Sequence, residues 1–189
     1  HSWEFRGASG NSVVDQVNDQ LTAVMVNGNY SNEGAQLDDS GASYIKLDPW
    51  EFGGDLTFEM YFSTDVLTDT TDQTLLYFAS TAWHETDGFQ FVKSGSNLEL
   101  QFNAADDSNG SQVLATNFFN SNESIHFMFT IDDAGNASVY KNGNEVFTGT
   151  LDVDTVFEQS TRAYAQIGMA KYSDGSIADP ITNMTVHYF

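Results

Sequence analysis

The sequence predicts an all-β protein, a two-sheet antiparallel jelly-roll sandwich, on three observations. Apolar and polar residues alternate along several segments, which sends successive side chains to opposite faces of a strand. Clusters of Asn, Asp, Ser, Thr and Gly recur roughly every 8–12 residues, the turn spacing of sandwiches and barrels. The segments so delimited number more than about ten, a size at which sheets usually split into two packed layers. The 15 Phe then supply the space between those layers.

In chain order, short strands are expected at Ser2 to Arg6, Leu21 to Val26 and Ser43 to Leu47. Asp55 to Phe62 carries the clearest pattern: Leu56, Phe58, Met60 and Phe62 fall on one face, Thr57, Glu59 and Tyr61 on the other. Strands follow at Thr74 to Ala79 and Gly88 to Lys93. From Asn97 to Asn103, Leu98, Leu100 and Phe102 oppose Glu99 and Gln101, and Phe127 and Phe129 repeat the alternation from Ile125 to Ile131. Asp132 to Asn136 reads as a turn, Ala137 to Lys141 as a strand, Asn142-Gly143 as a tight hairpin and Glu145 to Phe147 as the return strand. A helical turn is expected near Asp152 to Glu158, then strands at Tyr164 to Met169 and Ile181 to Phe189. With no internal repeat, linker or low-complexity tail, residues 1–189 read as one domain.

Composition removes several function classes. Six Lys and Arg stand against 27 Asp and Glu, a formal charge of −21, so phosphate backbones and anionic lipid surfaces are repelled. The reading is therefore no nucleic acid and no membrane insertion, since no apolar run approaches the ~18 residues of a span. Apolar residues at 40% and aromatics at 14% exceed what a disordered acidic chain carries, so the protein folds. With no Cys, disulfides, thiol nucleophiles and thiolate metal sites are excluded, and any metal is held by oxygen or imidazole. The chain begins at His1 rather than Met, as a processed or excised module would.

Trp3-Glu4-Phe5-Arg6-Gly7, Val14-Asp15, Gly41 to Leu47 and Gly53 to Phe62 together resemble the laminin-G-like domains of the concanavalin-A-like lectin/glucanase superfamily. In the second half, Ile125 to Thr130, the Val139 to Gly143 hairpin, Ile167-Gly168, Ser173-Asp174-Gly175 and the closing strand Ile181 to Tyr188 fall in that family's order. The opening Trp-Glu-Phe-Arg-Gly is similar to modules from brown algae, diatoms and their relatives. Those modules often carry cysteines where Ala8 and Ser31 or Asn32 stand here, so the resemblance brings no disulfide. It implies the concanavalin-A-like jelly roll and a place outside the cell or on a cell or viral surface.

The superfamily's β-glucanases work with carboxylates spaced Glu-x-Asp-x-x-Glu on one strand face. Glu85-Thr86-Asp87-Gly88-Phe89-Gln90 keeps two acids and puts Gln90 at the third, and an amide delivers no proton. A lyase acting on uronates needs a basic, tyrosine-rich groove, against which the chain sets two arginines, Arg6 and Arg162, and a strongly negative net charge. No catalytic residue is therefore assigned. Ca²⁺ suits turns rich in carboxylates and carbonyls, and laminin-G-like jelly rolls often carry one such ion. Asp15 and Asn18 near the start, with Asp174 and Asp179 before the last strand, are its candidate ligands, because the first and last strands of this fold run side by side.

Sugar-binding jelly rolls stack an exposed ring on the apolar face of a sugar and flank it with carboxylates and amides. Trp83, His84 and Glu85 have that composition in a turn-rich segment outside the family's strands, and Tyr172 beside Asp174 is a second candidate. Trp3 and Trp50 lie inside the matched motifs and are assigned to packing. The reading is a non-catalytic module that binds carbohydrate or a surface protein, in the manner of a lectin or adhesion domain, with Ca²⁺ as a structural ion. The alternative is a structural or assembly module of a virion or cell surface, and a glycan-active hydrolase ranks behind both.

Overall fold

The computed structural model describes residues 1–17, 19–38, 43–64, 71–80, 88–103, 109–151, 159–171, 177–178, 180–181 and 183–189. Among these the first strands are β1 (Ser12–Val14), β2 (Thr22–Val26), β3 (Asn29–Tyr30), β4 (Ala35–Leu37), β5 (Tyr44–Leu47) and β6 (Trp50–Phe52). Next come β7 (Leu56–Thr64), β8 (Gln73–Ala79), β9 (Gly88–Ser94), β10 (Asn97–Asn103), β11 (Asn109–Ala115) and β12 (Glu123–Ile131). The last are β13 (Asn136–Lys141), β14 (Asn144–Thr150), β15 (Ser160–Arg162), β16 (Tyr164–Ile167), β17 (Ala170–Lys171), β18 (Ile177–Ala178) and β19 (Met184–Tyr188).

An eight-stranded sheet runs β1-β2-β5-β16-β8-β9-β10-β11 and a seven-stranded sheet runs β14-β13-β12-β7-β19-β4-β3. Two ribbons, β15 with β6 and β17 with β18, complete the described topology. The expected two-layer antiparallel sandwich is the fold found. Its layers meet through rings from both sheets, Phe78 stacked on Phe58 at 5.0 Å and Phe91 set edge-on against Phe129 at 4.9 Å. Burying each such ring contributes roughly 1.5–3 kcal/mol, which is how this Phe-rich pattern holds two sheets together.

Local chemistry accounts for the elements. In β7, Phe58, Met60 and Phe62 are buried while Thr57 and Glu59 are exposed, as the alternation predicts. Asn142 (φ +51°) and Gly143 (φ +79°) both take the left-handed conformation that a two-residue turn between β13 and β14 demands. Ser2 to Arg6 differs from expectation. Its N–H groups at Trp3 and Phe5 donate to Phe189 O (2.7 Å) and His187 O (2.9 Å), but only Glu4 forms a ladder bridge before Gly7 turns the chain at φ +66°. The first segment does lie beside the last strand. The strand β11 was not expected, because Asn109-Gly110-Ser111 reads as a turn; it adds to β10 as a sheet edge. The helical turn expected at Asp152 to Glu158 lies outside the described residues. Among the described residues no helix is long and apolar enough to cross a membrane.

Candidate ligand-binding site

Strand register builds a polar row on the outward face of the eight-stranded sheet. Ile45, Leu47, Ala165, Ile167, Leu76, Phe78, Phe89 and Phe91 point into the core, so their neighbours must point the other way. Lys46 lies opposite Gln166, Gln166 opposite Tyr77, Tyr77 opposite Gln90, and Gln90 opposite Gln101. Thr74 Oγ1 donates to Gln90 Oε1 at 3.1 Å, and Gln90 Nε2 donates to Gln101 Oε1 at 2.9 Å. The position where a glucanase-like strand would hold its acid is thus an amide fixed in a hydrogen-bonded chain.

One stretch of this face is covered. Ala170 of β17 packs on Tyr77 and Ala79 of β8, with Tyr164 against them. Gly168, between β16 and β17, is what lets the chain pass there: its φ is +91°, and a Cβ would meet Leu37 Cδ1 at 2.3 Å.

Beside the covered stretch opens a pocket of about 300 Å³ lined by Tyr44, Lys46, Ala163, Tyr164, Ala165 and Gln166. Gln166 is 3% exposed, and its Oε1 has no hydrogen-bond partner among the described residues. An unpaired buried acceptor costs roughly 1–3 kcal/mol, so a ligand donor reaching it recovers what folding gave up. Lys46 is exposed at the rim. Elsewhere, Lys141 Nζ binds Glu123 at 2.7 Å, Arg6 stacks on Tyr61, and Lys93 and Arg162 are buried. Two phenol rings, an amide and one accessible ammonium can stack on a sugar ring, bond its hydroxyls and meet a carboxylate.

Of the residues singled out from sequence, Trp83, His84, Glu85 and Tyr172 lie outside the described residues, as do Asn18, Asp174 and Asp179. The described ends of their segments nevertheless converge. Residues 80–87 connect β8 to β9, whose ends Ala79 and Gly88 pair with each other beside Tyr164, and residues 172–176 connect β17 to β18. Ala79 and Ala170, near which the two connections depart, belong to the cluster against which Tyr164 packs.

Asp15 is buried, with Oδ1 accepting from Ser2 N (2.8 Å) and Val17 N (3.0 Å) and Oδ2 paired with His1 Nδ1. Among the described residues no group of three or more His, Cys, Asp or Glu is placed to hold a metal ion. Trp3 is fully buried and Trp50 half-buried, packed 5.7 Å apart. Tyr44, Lys46, Tyr164 and Gln166 were not singled out from sequence. The signal for the first two was present in the alternation of Ser43 to Leu47, which assigns them together to its outer face.

A laminin-G-type family model described as concanavalin A-like lectin/glucanases superfamily matches residues 39–180. The botulinum neurotoxin serotype D binding domain aligns with 100% of this chain and 47% of its own length, at TM-score 0.67 and 12% identity. That toxin's ligand binding domain in complex with N-acetylneuraminic acid aligns at TM-score 0.67 and 11% identity, over 100% of this chain and 46% of its own. The CBM40 of Ruminococcus gnavus IT-sialidase, bound to α2,3-sialyllactose, aligns over 76% of this chain and 88% of its own, at TM-score 0.54 and 12% identity. At such identities the likeness is one of fold, and the chain spans about half the length of the neurotoxin domains it matches. No curated protein matches the chain.

Proposed function

Because this chain belongs to the concanavalin A-like lectin/glucanases superfamily, we propose that it is a non-catalytic glycan-binding module whose site is the Tyr44, Lys46, Tyr164 and Gln166 pocket. The observation that carries the reading is the buried, unpartnered Gln166 oxygen beside the exposed Lys46 ammonium. An acceptor awaiting a hydroxyl and a cation awaiting a carboxylate together suit an acidic sugar. Two similar folds support that choice by what they hold, N-acetylneuraminic acid and α2,3-sialyllactose. Gln90 in place of an acid supports binding without hydrolysis.

The rings expected from sequence extend the same reading. Trp83 and Tyr172 belong to connections that start beside Tyr164, and a stacking contribution from either would add to the pocket. Ca²⁺ at Asp15, Asn18, Asp174 and Asp179 is a separate proposal. It predicts a higher melting temperature in calcium than in chelator, and equal melting in both would dismiss it.

The test is calorimetry and a glycan array with the intact chain, in calcium and in chelator, comparing α2,3-sialyllactose with lactose. Binding of the sialylated sugar that Trp83→Ala and Gln166→Met both weaken is the expected result. Silence across the array in both conditions would sink the glycan reading and favour a structural or assembly module.

A further inference from the structure

A second pocket, of about 410 Å³, lies where β7 outruns its neighbour β19. Tyr188 pairs with Tyr61, after which Phe189 exchanges main-chain bonds with Trp3 (3.1 and 2.7 Å), so no described strand pairs with that side of β7 from Leu56 to Met60. Aromatic rings fill in beside this open edge: Trp50, Phe52, Tyr188 and Phe189 are each half-buried and line the pocket, backed by the fully buried Trp3.

The rings are set at differing angles. Trp50 and Phe52 are 5.1 Å apart at 32°, Trp3 and Trp50 lie at 50°, and Trp3 and Phe189 lie at 10°. Rings at such different tilts do not form one flat platform for a sugar face, and a compact, rounded group can meet several of them at once. Glu59 stands on the rim with its side chain 47% exposed. Its Oε1 accepts from His126 Nε2 at 2.8 Å and Tyr188 Oη at 3.2 Å, and both bonds fall on that one oxygen, leaving Oε2 for another partner.

Charge decides the ligand's sign. Neither Lys nor Arg lines the pocket; the basic groups beside it are His1 on its lining, His126 bonded to the rim Glu59, and Arg162, whose guanidinium lies 5.4 Å from the Phe52 centroid. A carboxylate on the rim of aromatic faces attracts cations and repels the carboxylate of an acidic sugar.

We propose that this pocket binds a small organic ammonium ion of the quaternary or multiply methylated class, its methyl groups against the rings and its charge facing Glu59. The site is independent of the glycan pocket, because it shares none of that pocket's lining residues and carries the opposite charge.

The test titrates tetramethylammonium and choline onto the intact chain at constant ionic strength, following tryptophan fluorescence. The control ligand is choline's uncharged isostere, in which a tert-butyl group replaces trimethylammonium. Saturable binding of the cations is expected, with the isostere weaker by about 10-fold or more. Trp50→Ala abolishes it, Trp50→Phe retains part, and Glu59→Gln weakens it by roughly 3-fold to 10-fold. Thermal melts of each variant separate loss of ligand from loss of fold. Equal affinity for the isostere, displacement by sialyllactose, unchanged binding in a folded Trp50→Ala chain, or no saturation at all would each overturn the proposal.

Discussion

The aromatic pocket takes Trp50 and Phe52 from β6 and the glycan pocket takes Ala163, next after β15, the strand paired with β6, and the two are made differently. The glycan pocket is a product of strand register: Lys46 faces Gln166 because β5 and β16 pair residue for residue, and the core-facing Ile45 and Leu47 hold that phase. The aromatic pocket is a product of chain ends, where Trp3, Phe189 and the three-residue strand β6 meet beside an unfinished sheet edge. Register is fixed by many cooperating hydrogen bonds, whereas ring boxes depend on a few side chains packed from one side. The two also differ in sign, a cation on one rim and a carboxylate on the other. Net charge therefore does not choose the ligand; the few groups at each rim do.

Removing shared support makes the sharpest division between them. Phe78 pairs with Ala165 of the glycan pocket and meets the rings of Trp50 at 5.9 Å and Phe52 at 5.3 Å. Phe78→Ala is expected to cost about 3–5 kcal/mol in urea unfolding, the usual effect of deleting a fully buried ring. At temperatures where the variant stays folded, ammonium binding falls while sialyllactose binding persists, since register outlasts ring packing. Equal loss at both sites would mean that the pockets are one packing unit.

Next in size is the cation itself. Lys46→Ala should weaken α2,3-sialyllactose by about 10-fold while leaving lactose unchanged, because a charge-assisted bond to the carboxylate is lost. Raising salt in the native chain should have the same differential effect. Calorimetry that finds both sugars weakened alike would put Lys46 at the sugar ring and detach the acidic group from the reading.

How much of this could be read in the sequence follows from which faces see water. In β7 one face meets the core and the other solvent, so Phe58, Met60 and Phe62 declare themselves against Glu59. In β8 every residue from Gln73 to Ala79 is buried, with Ala170 and Tyr164 packed against the outward Tyr77 and Ala79, and no alternation survives there to mark Tyr77 as outward. The hairpin at Asn142-Gly143 was legible because its conformation nearly dictates its residues. Gln166 was not, since an amide within a strand acquires its meaning only from burial, which alternation does not announce. The aromatic pocket was hidden for a related reason: Trp3 and Trp50 read correctly as packing, but the space beside them exists only because β19 stops at Tyr188.

A smaller effect probes the buried acceptor. Gln166→Met keeps the volume and removes the unpaired oxygen, so it should raise stability by about 1 kcal/mol while weakening the sialylated sugar. Thermal melting and calorimetry read the two changes separately. A variant no more stable than the native chain would indicate that water already satisfies that oxygen.

The smallest expected effect lies at the other pocket and depends on pH. Burial, then the nearby Glu59 charge and the hydrogen bond to it, push the Tyr188 phenol above its ordinary range. A group whose folded pKa is raised contributes stability that is complete below its unfolded value and is lost as pH rises through the folded one. The native chain should therefore keep the full contribution of the Tyr188 to Glu59 bond below the usual tyrosine range and lose it progressively from that range up through the raised folded value. Tyr188→Phe should lack that alkaline loss in melts taken across the range, with no matching change in sialyllactose affinity, because Tyr188 lines only the aromatic pocket. If the phenylalanine variant follows the native curve, the bond contributes nothing measurable, and the rim charge of Glu59 is held in place by His126 alone.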